Sequence, residues 1–236
     1  MAFLSQGHLP GEGKYSEQMQ LSLDYIVSCQ KRSGVLALAA PNREKISRVI
    51  DHETGYTLVY NHALAGLVLS ECYAMVGAAQ TEQIKVAIEK ALDVTFQMQD
   101  FRRARQVDAG GWRYLDIAEF PDADLSVTAW QLMFMRSAKN AGFDVAEKRI
   151  DRAVKYVHRC FLKNRGTFSY KAGFGNRASR GMAGAEFWRW LTLGNMTQKN
   201  HCWRVIGFSR AVSKATTISA ECETLFIRVI VITMAY

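Results

Sequence analysis

Two carboxylates two residues apart, Asp122 and Asp124, follow a glycine turn that carries the aromatic side chains Trp112 and Tyr114. A further aromatic, Trp130, stands a short way beyond them. The set joins candidate acids to electron-rich ring faces. A carboxylic acid in a dry pocket holds its proton more tightly, and aromatic faces attract cations. That combination suits a greasy, electron-rich ligand. A structural reading is open as well: an apolar helical stretch begins at Asp124, and acidic side chains there cap free amides and complement the helix dipole.

The elements that must position these residues read as helical hairpins. Met19, Leu23, Ile26 and Val27 follow the helical period after Ser16, an expected N-cap. A loop with Gly34, Pro41 and Gly55 follows, and Asn61 is expected to cap a second helix closed by Gly77. Thr81 opens a helix with Ile84, Ile88, Ala91, Leu92 and Phe96; another runs from about Asp124 to Asn140 and ends at Gly142. Asp144 with Glu147 has the spacing of a capping box for a helix carrying Ile150, Ala153, Val154, Val157 and Phe161. Its inner partner is expected from Ser179 to Leu193, closed by Gly194.

These helices align with one another. Leu23-Asp24 falls with Leu92-Asp93, Gln30 falls with Gln99, and the inner helices align on Gly77, Gly142 and Gly194. The expectation is an all-α chain of stacked hairpins over 16–77, 81–142 and 144–194, within one repeat domain over 1–194. Residues 195–236 are expected to be irregular; the run Ile227 to Thr233 is β-branched and strand-like.

Composition narrows the function classes. The net charge of +8 is spread along the chain, with Arg102, Arg103 and Arg105 as its densest group. Basic residues interleaved with stacking aromatics are absent, which argues against nucleic acid and leaves a solvated basic face or weak contact with anionic headgroups. Five cysteines without metal-ligand spacing read as free thiols of a reducing compartment. The N-terminus lacks a basic, apolar signal segment, and no apolar run reaches the ~18 residues of a membrane span. A cytoplasmic or peripheral-membrane location is the expectation.

Gln106-x-x-x-Gly110-x-Trp112 matches a QxxxGxW pattern, and Gln30-x-x-x-Gly34 followed by Leu36 is a degraded copy. Arg165 to Tyr170 keeps the glycine and aromatics without the glutamine. A glutamine can bond the open groups at helix ends while the aromatic packs over them, which makes the motif structural glue.

With these motifs, and with Gly7 to Gly11, Tyr60-Asn61-His62-Ala63, Gly110 to Tyr114 and Asp124 to Gln131, the chain resembles the terpenoid-cyclase and protein-prenyltransferase superfamily. The likeness is greatest to squalene–hopene-cyclase-like repeat proteins of bacteria and spans about Phe3 to Gly194. It implies an α/α toroid, here an incomplete or open one. In such cyclases a Gly-Gly-Trp turn precedes a Pro-Asp-x-Asp-Asp-Thr segment whose middle aspartate protonates an alkene. The register makes Asp124 the proton donor and Asp122 its partner, with Leu125 in place of the third aspartate and Ser126 in place of the threonine.

Trp112, Tyr114, Trp130, Tyr60 and His62 are then candidates to line the ligand; His62, beside Asn61 at an expected helix start and facing the same end of the array, also reads as a cap-region or satisfied histidine. Phe187, Trp188, Trp190, Met133 and Met135 read as core or as pocket lining. The superfamily's zinc enzymes use an Asp-x-Cys pair that this chain lacks, and His158 with Cys160 points to two helix faces; no metal and no cofactor is expected. Two functions remain: binding or cyclising a polyisoprenoid, or a non-catalytic scaffold for a protein partner or self-association.

Overall fold

The computed structural model describes residues 1–47, 52–115, 122–165 and 167–173. The expected inner helix from Ser179, the aromatics 187–190 and the segment 195–236 lie outside them. The described chain is mostly helical: α1 (Ser16–Ser28), α2 (His52–Cys72), α3 (Ala78–Asp100), α4 (Leu125–Asn140) and α5 (Glu147–Arg159). A hairpin of two very short strands, β1 (Phe161–Leu162) and β2 (Thr167–Phe168), follows and corrects the all-helical expectation. There α5 stops at its C-cap Cys160, and Phe161 stacks on Phe168 with ring centroids 4.9 Å apart instead of adding to the helix.

The helices alternate between two layers. Outer helix α1 packs on α3, while inner helices α2 and α4 pack on each other and carry α3 and α5 on their flanks. Burial follows these roles. In α5 the buried set is Ile150, Ala153, Tyr156 and Val157, one stripe at helical spacing, whereas α4 buries most of its circumference. Gly66 lets α2 and α4 approach: a Cβ there would lie 2.6 Å from the Phe134 ring.

One device ties each hairpin to the next. Gln30 donates from Nε2 to Gly34 O at 3.0 Å and to Ala87 O of α3 at 2.8 Å. Gln99 repeats this, donating to Gly110 O at 3.2 Å and to Arg149 O of α5 at 3.0 Å. Gly34 and Gly110 both have φ near +90°, at 94° and 87°, and each lies against a carbonyl of the following outer helix, Lys90 O and Arg152 O. In the third unit Phe161 follows C-cap Cys160 as Gln30 follows C-cap Cys29, so the clip lacks its amide there.

Several local expectations are corrected. The glutamine of the second clip is Gln99; Gln106 sits exposed in a single 3-10 turn (Gln106–Asp108). Asn61 lies within α2, which begins nine residues earlier at His52, so it caps nothing. Gly77 is the N-cap of α3, and Thr81 donates back to Gly77 O at 3.1 Å from inside the helix. The N-cap of α5 is Ala146, with no side-chain bond from Asp144. Ser16 opens α1 without capping it, its hydroxyl donating to Pro10 O at 2.6 Å. The basic group near Arg102 is partly drawn inward: Arg105 grips buried Asp108 at 2.7 and 2.8 Å, and Arg103 donates to Met98 O and Gly111 O.

Candidate acid site at the start of the second inner helix

Gly110 turns the chain so that Trp112 enters the interior between the helices, fully buried. Its indole N–H donates to Thr95 O at 3.0 Å and its backbone N–H to Thr128 Oγ1 at 3.0 Å. Asp124 N donates back to Trp112 O at 2.9 Å, which brings the acid beside the tryptophan turn. Asp124 is also the N-cap of α4. Its Oδ1 accepts from Val127 N at 2.8 Å and from Ser126 Oγ at 2.9 Å, satisfying an otherwise open helix amide. The capping reading of this residue is thus seen directly.

The two oxygens of Asp124 differ. Oδ1 is bonded twice, while Oδ2 is buried and has no hydrogen-bond partner. Burial raises the carboxyl above the usual carboxylate range, and it outweighs the Val127 amide, Ser126, Arg113 and Tyr170, which all favour the charged form. A neutral acid bonded this way carries its proton on Oδ2. Arg113 Nη1, likewise buried and unpartnered, faces that oxygen at 3.9 Å.

Asp122 is engaged elsewhere. It pairs with Arg113 Nε at 2.9 Å and with Lys171 Nζ at 2.5 Å, at the centre of an ion cluster. Leu125, where the cyclase motif has a third aspartate, is wholly buried in a second apolar cluster with Tyr156, Val157, Cys160 and Phe168.

A chain of hydroxyls leads from the acid. Ser126 Oγ lies 2.5 Å from Tyr60 Oη, Tyr60 Oη lies 3.5 Å from Tyr114 Oη, and Tyr114 Oη lies 2.9 Å from Tyr170 Oη. The structure thus assembles Asp124, Tyr60 and Tyr114 from three separate segments and adds Ser126, Arg113 and Tyr170. Tyr170 sits in the third, glutamine-free repeat, and its aromatic position was the one signal for it in the sequence. Arg113 directly follows Trp112, but nothing in its spacing marked its partner.

The other candidates lie apart from this group. His62, fully buried, accepts from Leu36 N at 3.1 Å through Nδ1, and its Nε2 meets Thr95 Oγ1 at 3.1 Å. Thr95 bonds Gln131 Oε1, and Gln131 Nε2 bonds Val59 O, both at 3.1 Å. Burial pulls the imidazole down to about 4, against a weaker opposing bond to the Ala91 backbone. His62 is a neutral junction between α2, α3 and the first loop. Trp130 belongs to the main apolar core.

Among the described residues no group of three or more His, Cys, Asp or Glu side chains is gathered for a metal ion, and no helix is long and apolar enough to cross a membrane. Cys29, Cys72 and Cys160 are buried free thiols, and burial pushes the latter two up to about 11 and about 12. No family model, no curated protein and no solved structure matches this chain.

Proposed function

We propose that this chain is an arc of an α/α toroid of the terpenoid-cyclase and prenyltransferase-repeat kind, and that Asp124 serves as a neutral acid toward a polyisoprenoid. Alternating outer and inner helices, tied by the same glutamine clip at Gln30 and Gln99, support the repeat architecture. The carrying observation for the chemistry is the Asp124 carboxyl, whose Oδ2 is buried and without a protein acceptor. A proton placed there points at no protein acceptor. The donors that stabilise the conjugate base, the Val127 amide and Ser126, favour transfer of that proton to an alkene against the opposing effect of burial. The O–H bond breaks as a C–H bond forms at the alkene, the π pair supplies that bond, and the O–H electrons stay on the carboxylate. Val127 N–H and Ser126 Oγ then stabilise the anion, and the faces of Tyr60 and Tyr114 suit the carbocation.

The experiment is incubation with squalene and with shorter polyprenyl substrates, followed by mass spectrometry of the organic extract. A cyclic product that disappears in Asp124→Asn supports the reading. Binding without turnover retains the ligand but removes the acid chemistry.

A scaffold role is the second reading, favoured by one observation. A largely apolar groove of about 360 Å³ lies open between α1, the first loop and α2, lined in part by Ile26, Leu36, Leu64 and Val68. Leu38 at its rim is 65% exposed. Sedimentation that reveals self-association abolished by Leu38→Asp, together with no turnover, would favour this reading over the first.

A further inference from the structure

Two buried polar atoms without hydrogen-bond partners face each other across one gap: Arg113 Nη1 and Asp124 Oδ2, 3.9 Å apart. Opposite charges at this distance attract, yet a charge-assisted hydrogen bond needs about 2.7–2.9 Å. The guanidinium is held from its other side. Its Nε is bonded to Asp122 Oδ1 at 2.9 Å. Asp122 is itself anchored, by Lys171 Nζ at 2.5 Å on Oδ2 and by Arg103 Nη1 at 3.0 Å on its backbone carbonyl.

We propose that Asp122 is a positioning residue whose grip on Arg113 keeps the guanidinium short of Asp124, so that Asp124 holds its proton at rest and gains a full ion pair only after the proton has left. The inference rests on the reading of Asp124 as an acid, but it concerns a charge state that can be measured without substrate.

Burial is the largest influence on that charge state, and Arg113 is the charged group that opposes it. Ser126 of α4 bonds the acid and links it to Tyr60 of α2, while Tyr156 of α5, its C-cap Cys160, Tyr114 beside Arg113 and Tyr170 beyond β2 each feel its charge. Burial, the largest cause in each case, raises Tyr170 and Cys160 to about 12 and Tyr114 and Tyr156 further still. All four are neutral near pH 7. Asp108 acts on Tyr156 and Cys160 at longer range and is itself paired with Arg105. Among the described residues Arg113 is the cation paired with Asp124, and Asp122 decides how close it comes.

The test is a carbon-13 NMR titration of the aspartate side-chain carboxyls in the full chain, with Asp124→Asn identifying the resonance. Asp122→Asn releases Arg113 Nε, and the midpoint of Asp124 should fall by about one to three pH units, a tenfold to thousandfold easier ionisation. Arg113→Gln should move it the opposite way. Lys171→Met, which leaves Arg113 as the side-chain cation held by Asp122, should tighten that grip and raise the midpoint of Asp124, and it decides the matter where Asp122→Asn does not fold. Shifts of the same sign for Asp122→Asn and Arg113→Gln, or no shift in Asp122→Asn and Lys171→Met, would overturn the proposal. Opposite shifts in a protein that turns over no polyprenyl substrate would uphold the positioning role and remove only the cyclase reading.

Discussion

His62 in α2 and Thr128 in α4 do the same work one hairpin apart. His62 Nδ1 accepts the Leu36 amide at 3.1 Å, and Thr128 Oγ1 accepts the Trp112 amide at 3.0 Å. Each lies on an inner helix and receives the residue two beyond a clip glycine, Gly34 or Gly110. The first of these acceptors titrates and the second does not, which gives the array a built-in acid sensitivity.

That sensitivity has a definite sign. His62 is held to about 4 in the folded protein, against 6.5 for an ordinary imidazole. As pH falls below 6.5 the unfolded chain takes up a proton that the folded chain refuses until about 4, so stability is lost across this window. The loss should approach about 3 kcal/mol. Urea unfolding of wild type and His62→Asn at about pH 7 and about pH 5 checks it; the variant should lose far less on acidification. Equal losses in both proteins would place the acid sensitivity elsewhere.

Asp124 has the opposite dependence. Its folded form favours the neutral acid, so stability falls as pH rises from the ordinary carboxylate value through the raised one. Asp124→Asn keeps an oxygen acceptor for Val127 N and should gain stability on wild type as pH increases, whereas Asp124→Ala loses the cap and about 1 kcal/mol or more at every pH. Thermal unfolding of the three proteins across a pH series separates the contributions. A wild type that gains on Asp124→Asn with rising pH would show a charged Asp124.

The clips should be visible in stability. Gln99→Ala leaves Gly110 O and Arg149 O without their amide partner in a buried place and should cost about 2–3 kcal/mol. Gln30→Ala, at a half-buried site, should cost about 1–2 kcal/mol. Gln106→Ala, on the exposed 3-10 turn, should stay within about 0.5 kcal/mol of wild type. Urea midpoints rank the three, and a large effect at Gln106 would contradict the assignment of Gln99 as the clip.

Two glycines with left-handed backbone give a paired comparison, Gly110 in a clip and Gly142 just past the end of α4. At Gly110 an added Cβ would collide with the Arg152 carbonyl, and the backbone already has φ +87°. At Gly142, with φ +94°, a Cβ meets nothing within 4 Å. Gly110→Ala should therefore cost several kcal/mol and Gly142→Ala only about 1 kcal/mol, the backbone strain alone. Calorimetric melting temperatures of the two variants give the difference directly.

Helical periodicity is a local property, and it was readable. The apolar spacing from Leu125 to Asn140 placed α4 and put Asp124 at its start, and the alignment of Leu23 with Leu92 and of Gln30 with Gln99 matches buried and clipping positions in the structure. Local spacing misled where packing prevails over propensity. Gly55 reads as a loop residue, yet α2 runs through it, and its carbonyl accepts Leu115 N at 3.3 Å from the segment that crosses there. The QxxxGxW match drew attention to Gln106, because nothing along the chain says which of two glutamines reaches α5.

The acid site divides in the same way. Sequence alone determined that two carboxylates, a tryptophan turn and a helix start belong together. Only the packing of α2 on α4 brought Tyr60 to Ser126, 66 residues away, and only the return of the chain after β2 brought Lys171 to Asp122. Hydrogen bonds and ion pairs act over a few ångströms in space with no memory of chain separation. Which oxygen of Asp124 stays unpartnered, and which aspartate holds Arg113, is therefore a property of the folded arrangement.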